Sequence, residues 1–355
     1  MRQKTKRRQR PTRYGRLKAI NLPDVEVLDD LKEATPYKSK RIAEKMELSF
    51  KQDAELVPAR ISEIHSNYNY IVEADGVFYE ATLSGRLRQF LYDSLGVAAV
   101  GDRVMVDIST EPDYRIEQVL PRTNTLSRYT SGSFQKEILI AANIDQVIIT
   151  SSWAKPNIKA GLIDRYICIA TLQEIKPIIV INKIDLCEYP EDFEELSGFY
   201  LDMGYTLIAT STVSGEGMEE LRKALKDKDS VFSGQSGTGK SSLINYLQPG
   251  LDLETAQVSK YNEKGRHTTT RATLIPWDFG GHLLDTPGIK TINLHANDKD
   301  QIPRVFPGFS HFLASCHFRD CSHTHEEHCG VIQAVEEGVI PIERYDSYLA
   351  LRESL

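Results

Sequence analysis

Gly234-Gln235-Ser236-Gly237-Thr238-Gly239-Lys240-Ser241 decides the fold. The stretch fits Gly-x4-Gly-Lys-Ser, a phosphate-binding loop, and its flanks supply the context that pattern requires. Ser230-Val231-Phe232 leads in and Ser242-Leu243-Ile244-Asn245-Tyr246-Leu247 leads out, so the glycines fall where a buried strand turns into a helix. Gly234 and Gly239 allow backbone conformations closed to residues with a Cβ. Successive N–H groups of Gln235, Ser236, Gly237 and Thr238 can then point at phosphate oxygens beside the positive end of the helix. Lys240 reaches the terminal phosphates and Ser241 holds Mg2+, with Ser242 closing the nucleotide-binding run. The competing reading, a Gly-rich turn with a surface lysine, leaves both flanks unexplained.

At 355 residues the chain suggests two or three domains. The formal net charge is −7, yet residues 1–18 hold nine Lys or Arg and no acid, leaving −16 on the remainder. A basic arm on an acidic body predicts a polyanionic partner, most often nucleic acid. A solvated tail without a partner is the plainer alternative. The sequence has no run of 18 apolar residues and no apolar signal-peptide core, which predicts a soluble, cytoplasmic protein that meets no membrane.

Residues 1–55 are charged and lack any run able to form a core, so a largely mobile arm is expected. From residue 56 the texture changes. Segments 57–64, 68–73, 77–82, 103–108 and 115–120 read as five short strands, two of them joined by Asp75-Gly76 as a tight hairpin. Five short strands within residues 56–121 fit a small closed barrel of the OB-fold type. Arg86, Arg88 and Arg103, with Tyr68, Tyr70 and Tyr79, offer a basic and aromatic face for RNA, although some of these tyrosines can equally be core.

After a polar linker over 121–128, strands alternate with helices: strand 144–150, helix 158–172, and the wholly apolar strand 177–181. This is the pattern of a parallel sheet covered by helices. Asn182-Lys183-Ile184-Asp185 sits at the carboxyl end of the last strand, where open α/β sheets bind ligands. A carboxylate at Asp185 can accept from two guanine donors, the Lys183 stem can cover the base, and Asn182 can tether neighbouring loops. A helix over 191–203 and a strand over 206–209 lead to Ser211 and Thr212, whose amides can meet the guanine oxygen. Helix 217–225 then leads into the phosphate loop. Beyond it, Gly265-Arg266-His267-Thr268-Thr269-Thr270 precedes a strand over 272–276, and strand 282–284 ends in Asp285-Thr286-Pro287-Gly288. Asp285 can hold Mg2+ through a water, and the Gly288 amide can sense a terminal phosphate.

Near the end, Cys316, Cys321 and Cys329 lie within fourteen residues, whereas Cys168 falls in an apolar helical run and Cys187 in a loop. Clustering of this kind points to metal, not disulfides. One histidine completes a tetrahedral zinc site with no position left for water, and His317, His323, His325 and His328 compete for the place. Buried free cysteines are the alternative. Helical segments over 302–313, 331–337 and 342–351 predict a small helical domain pinned by the metal.

The GTPase-like parts run 182, 211, 234, 269, 285, whereas ordinary GTPases begin with the phosphate loop. The order is that of a circular permutation, which preserves the sheet because native termini often lie close together. In this order and combination, Asn143-Ile144-Asp145-Gln146, Asn182 to Asp185, Gly234 to Ser241, Gly265 to Thr270, Asp285 to Gly288 and Cys316-x4-Cys-x-His-x5-Cys resemble the RsgA (YjeQ) family, from about residue 55 to the end. The resemblance implies an OB-fold barrel over 56–121, a circularly permuted α/β P-loop GTPase domain over 122–289 and a helical zinc-binding domain over 290–355. It also implies hydrolysis of GTP to GDP stimulated by the small ribosomal subunit, contact with that subunit's rRNA, and a role in its late maturation. It selects His323 as the fourth zinc ligand, gives His267 the catalytic role of positioning water, and assigns Mg2+ to Ser241 and to a threonine, here taken as Thr269. A monomer is expected. Two rival readings are an RNA-binding assembly factor in which GTP is mainly a conformational ligand, and a P-loop kinase or ATPase, which Asn182 to Asp185 speaks against.

Overall fold

The computed structural model describes residues 55–65, 69–89, 96–109, 111–129, 137–251, 272–285 and 294–355. The arm expected over residues 1–55, Glu55 apart, lies outside the described residues. So do Tyr68, the 265–270 loop with His267 and Thr269, and residues 286–289 with Gly288.

The first unit is a barrel of β1 (Leu56–Ile64), β2 (Asn69–Ala74), β3 (Val77–Leu83), β4 (Arg103–Asp107) and β5 (Tyr114–Val119). It is ordered β1-β2-β3-β5-β4 and closed by β4 pairing back onto β1, from Leu56↔Asp107 to Arg60↔Arg103. Alternate residues point inward, as the period of two demands: Tyr70 and Val72 from β2, Val104 and Val106 from β4, with Ile61, Leu83 and Ile116. A short helix absent from the sequence reading, α1 (Gly85–Gln89), adds Leu87 to this core. Tyr70 is therefore an interior residue and not part of an RNA-facing surface. Tyr79 is partly exposed and meets Tyr114 edge-on at 5.2 Å.

Where a linker over 121–128 is expected, β6 (Thr125–Tyr129) pairs antiparallel with β7 (Glu137–Ala142). The strand is hard to read because Leu126, buried, is flanked by Thr125 and Ser127, so little apolar pattern remains. The parallel sheet follows: β8 (Gln146–Ser152), α2 (Ala160–Leu172), β9 (Lys176–Asn182), α3 (Pro190–Asp202), β10 (Thr206–Thr210), α4 (Met218–Leu225), β11 (Lys228–Ser233), α5 (Lys240–Leu247), β12 (Thr273–Pro276) and β13 (Gly281–Asp285). The strand order is β10-β9-β8-β11-β13-β12, parallel except for β12. The middle strands are covered on both sides, which is why they read as unbroken apolar runs. Val147, Ile149, Ile179 and Ile181 face α2, while Ile148, Ile178 and Val180 face α4 and α5. The barrel adjoins the sheet's edge, β1 meeting β12 at Glu63↔Thr273.

The C-terminal segment packs on the α2 side of the sheet, with Phe306, Phe309, Val331, Tyr348 and Leu351 sharing a core with Ile163 and Ile167 of α2. Its helices are α6 (Ile302–Val305), α7 (Gly330–Glu336) and α8 (Ile342–Glu353). The helix expected over 302–313 stops after Val305 because Phe306 precedes Pro307 and is driven to an extended conformation, with ψ 131°. A buried ion pair fastens this segment. Nη1 of Arg344 on α8 donates to both Asp164 oxygens on α2 at 2.5 and 2.6 Å and to the Tyr200 hydroxyl at 2.8 Å. Its guanidinium lies 3.8 Å over the Phe199 ring. Burial pushes the Asp164 carboxyl up and Arg344 opposes this. Arg344→Met should thus cost about 3–5 kcal/mol by leaving Asp164 buried without a cation, whereas Asp164→Leu with Arg344→Met should recover most of that loss. Urea-unfolding midpoints of the two variants check this.

Candidate functional site

The chain runs outward from β8 through β9 to β10, then returns to place β11 on the other side of β8. Open α/β sheets bind ligands at such a reversal, outside the carboxyl ends of the strands. The phosphate loop follows β11 at this point. Gly234, at φ 136°, sits so close to β8 that a Cβ would lie 2.0 Å from the Thr150 oxygen. Gly239, at φ 94°, would place a Cβ 2.3 Å from Nδ2 of Asn182. Both glycines are therefore required by conformation and by space. The Lys240 ammonium donates to the Gly234 and Gln235 carbonyls at 2.7 and 2.8 Å, and Thr238 Oγ1 to the Gln235 carbonyl at 3.0 Å. Gln235, Ser236 and Gly237 complete the loop, and Ser241 and Ser242 stand in the first turn of α5.

The 182–185 run is bonded directly to this loop. Asn182, 1% exposed, donates from Nδ2 to the Thr238 carbonyl at 2.9 Å and accepts from Thr210 Oγ1 at 3.3 Å, so it ties β9 to β10 and to the phosphate loop. Lys183, with φ 62°, stretches its ammonium to the Gly237 carbonyl at 2.7 Å and to the Lys155 carbonyl. Asp185 is exposed, and its Oδ1 accepts from Ser211 Oγ at 2.5 Å. Ser211 Oγ in turn accepts from the amides of Val213 and Ser214, both at 3.1 Å, which shapes the 211–214 turn. The Ser211 amide is spent on the Glu216 carbonyl at 3.0 Å, so of the two amides expected at the guanine oxygen only that of Thr212 is left for the role.

A loop that sequence reasoning missed, residues 152–156, stands beside these two. Trp153 donates its amide to the Asn182 carbonyl at 2.8 Å, Ser152 Oγ holds the Pro156 carbonyl at 2.7 Å, and Lys155 receives the Lys183 ammonium. Its position, directly after β8 where the strand order reverses, is the signal that would have found it. Asp285 ends β13, whose Leu284 is paired with Val231 of β11, so it too stands at the carboxyl edge. A cavity of about 500 Å3 lies elsewhere, between Trp153, Leu196, Phe199, Pro341 and Arg344.

A second constellation lies in the C-terminal segment. The ligand atoms of Cys316, Cys321, His323 and Cys329 fall within 4.8 Å of one another. His323 Nδ1 is 3.5 Å from Cys316 Sγ and 3.3 Å from Cys329 Sγ, and the last two sulfurs are 4.0 Å apart. A tetrahedral ion with metal–sulfur bonds of about 2.3 Å needs sulfur–sulfur edges of about 3.8 Å, so these residues fit one. Of the four competing histidines, His323 is 4% exposed among the cysteines, whereas His317, His325 and His328 are exposed. Burial, reinforced by the Cys329 and Cys316 sulfurs, pushes the Cys321 thiol up to about 12. Burial also raises Cys329 and lowers His323. Three thiolates in this space need a cation to neutralise them, and neutral imidazole is the ligating form. The four residues make a metal site.

Comparison with known proteins agrees with this geometry. A family model described as RsgA GTPase matches residues 119–295. The small ribosomal subunit biogenesis GTPase RsgA of Caldanaerobacter subterraneus is 38% identical over 297 residues, 84% of this chain and 95% of that one. Its counterpart in Gemmatimonas aurantiaca is 40% identical over 282 residues, 79% of this chain and 91% of that one. Among solved structures, YjeQ from Thermotoga maritima superposes with a TM-score of 0.69 at 32% identity, over 84% of this chain and 98% of that one. YloQ, a circularly permuted GTPase, gives 0.65 at 26% identity, over 86% of this chain and 97% of that one. The chain belongs to the RsgA GTPase family.

Proposed function

We propose that this chain binds the small ribosomal subunit and hydrolyses GTP to GDP and phosphate in the late maturation of that subunit, with the subunit stimulating turnover. The observation that carries the nucleotide part is the direct bonding of the base-reading run to the phosphate loop, Asn182 to Thr238 and Lys183 to Gly237. Base recognition and phosphate binding are thereby held at a fixed distance. The ribosomal part rests on the names of the relatives. The barrel over 56–121 and the basic residues before it hold rRNA, the GTPase domain spans 122–289, and 290–355 form the metal-binding unit. The protein acts in the cytoplasm as a monomer; among the described residues no helix is long and apolar enough to cross a membrane.

Each site residue has a role in this reading. Backbone amides from Gln235 to Ser242 and the Lys240 ammonium receive the phosphates, and Asp185 with the Thr212 amide reads guanine. Ser241 and Thr269 hold Mg2+ and Asp285 holds it through a water, while the Gly288 amide senses the terminal phosphate. When bound, the ion neutralises charge gathering on the phosphate oxygens. The metal at Cys316, Cys321, His323 and Cys329 is zinc, because a sulfur-rich tetrahedral set with no open position is its structural coordination.

Three experiments test these assignments. Asp185→Asn should weaken GTP binding and relax it toward xanthine nucleotides, since the guanine donors lose their shared acceptor; GTP and xanthosine triphosphate titrations read this directly. Elemental analysis of protein purified without chelator should find about one zinc per chain, and chelation should expose residues 290–355 to protease. A metal-free protein with that segment still resistant would remove the zinc assignment. The third test concerns water activation. In many GTPases a glutamine right after Asp-x-x-Gly orients the attacking water. The position here is Ile289, which offers no polar group, and intrinsic turnover should be slow. His267 supplies the missing function once the subunit is bound. His267→Ala should keep GTP affinity and subunit binding and lose about 100-fold or more of the stimulated rate. Turnover within a few-fold of the parent at saturating subunits would assign the water to another group.

A further inference from the structure

Asn143-Ile144-Asp145-Gln146, one of the runs that mark the family resemblance, stands at the amino ends of the parallel strands, on the side of the sheet away from the nucleotide loops. The Asn143 side chain accepts from the Thr123 amide at 2.8 Å and donates to the Gly101 carbonyl at 3.1 Å, joining barrel, connecting strand and sheet. Asp145 and Asp229 exchange two bonds: the Asp229 amide donates to the Asp145 carboxylate at 2.8 Å and the Asp145 amide to the Asp229 carbonyl at 3.0 Å. Gln146 Nε2 donates to Ser230 Oγ at 2.9 Å and to the Ala224 carbonyl at 2.9 Å. The run thus clamps the first residues of β11, the strand that delivers the phosphate loop.

The Asp229 carboxylate extends the clamp in two directions. Nη1 of Arg60, on β1 of the barrel, lies 2.5 Å from one oxygen, and Nδ1 of His282, on β13, lies 2.8 Å from the other. His282 Nε2 is also 3.5 Å from a Glu73 oxygen on β2. Asp229 and His282 are register partners across β11 and β13. His282 stands three residues before Asp285, and Asp229 five before Gly234, so the two strands between them fix how far the phosphate loop lies from Asp285. Burial works against the Asp229 charge, but the His282 bond and the Arg60 cation outweigh it and hold its carboxyl below the usual range.

We propose that Arg60, a residue of the barrel, is a positioning residue for GTP hydrolysis: through Asp229 and His282 it holds β11 against β13 and so sets the phosphate loop relative to Asp285. The proposal rests on the reading of Asp285 as a carboxylate of the magnesium site. It makes the barrel a working part of the reaction centre, because movement of β1 on rRNA is felt at the Asp229–His282 contact.

The test measures, on the full chain with purified small subunits, the Mg2+ concentration that gives half-maximal stimulated GTP turnover. GDP affinity in the presence of EDTA is measured beside it. Arg60→Met should raise the Mg2+ requirement roughly 2- to 30-fold, the range by which substitutions along a coupled network shift a distant site, and lower kcat. Metal-free GDP affinity should stay within about twofold, an outcome that general loosening of the sheet would not give. Arg60→Lys should recover part of the loss by restoring a cation at Asp229. Should Arg60→Met not fold, His282→Leu keeps the Arg60–Asp229 pair, removes the side-chain bond between β11 and β13 together with the contact to Glu73, and should raise the Mg2+ requirement by itself. Asp285→Asn is the control. If it leaves the Mg2+ requirement unchanged, the reading of Asp285 falls and the proposal with it. If Asp285→Asn raises the requirement while neither Arg60→Met nor His282→Leu does, the proposal alone is overturned.

Discussion

A carboxylate taken out of water has to be met by a cation, and this molecule uses that constraint at each of its junctions. Asp102, fully buried in a barrel loop, is held by two 2.8 Å bonds from Arg122 in the segment that leaves the barrel. Asp229 at the start of β11 is met by Arg60 of the barrel, and Asp164 on α2 by Arg344 of the C-terminal helix. Unpaired, each such carboxylate would cost several kcal/mol. Paired, each contributes little net stability over an apolar contact of the same size, and what it adds is direction. The guanidinium fork accepts few geometries. Two accessory units of small core are in this way given fixed orientations on the sheet.

Orientation matters because the nucleotide site is assembled from loops that lie far apart in sequence. Asn182 and Asp285 are brought to one edge by the parallel alignment of β9, β8, β11 and β13, whose carboxyl ends gather there. Permuting the chain alters which loops are covalently continuous and leaves that alignment intact. The contacts that need fixed distances, Asn182 with Thr238 and Lys183 with Gly237, run between loops and not along the chain, so they survive the change of order. The strand that follows the 265–270 loop keeps its ordinary place after the phosphate loop and meets the barrel directly. β12 lies between β13 and the barrel strand β1, with Thr273 paired to Asp285 on one side and to Glu63 on the other.

The elements of this fold were legible where local chemistry dictates them. Strand periodicity placed all five barrel strands within a residue or two, and the apolar run at 177–181 announced a strand buried on both faces. The loops at 234–239 and 182–185 were legible as strand-end loops because each depends on residues adjacent in sequence: glycines at a strand-to-helix turn, or a polar run that closes an apolar strand. The pairs that orient the units were not, since Asp164 and Arg344 are separated by 180 positions and no local pattern marks either as buried. The same limit explains Tyr70, an aromatic on a strand whose inward side is set by the whole barrel. It also explains the choice of His323 among four neighbouring histidines, which burial settles and spacing does not. The early end of α6 is a different kind of miss. Pro307 drives Phe306 out of the helix, while the apolar residues beyond it continue a helical pattern in sequence.

The C-terminal helix shows how the metal site and the sheet can belong to the same mechanical unit. Within little more than one turn of α8, Tyr345 donates to the His323 carbonyl at 2.9 Å, Tyr348 to the Ser322 carbonyl at 2.6 Å, and Arg344 reaches Asp164 on α2. The metal loop is fastened from within as well. The Glu326 carboxylate accepts from the amides of Ser322, Thr324 and His325 at 2.6, 3.0 and 3.2 Å. Although burial opposes its charge, the bonds from Ser322 and Thr324 hold it well below the usual carboxylate range. Cys329 serves twice, as a metal-cluster thiol and as the N-cap of α7, where its sulfur accepts from the Ile332 amide. Ligation therefore orders a loop, the loop's carbonyls seat α8, and α8 presents the one guanidinium that Asp164 requires. Loss of the metal would reach α2 as a buried charge with a poorly placed partner, a larger perturbation than the size of the metal loop suggests.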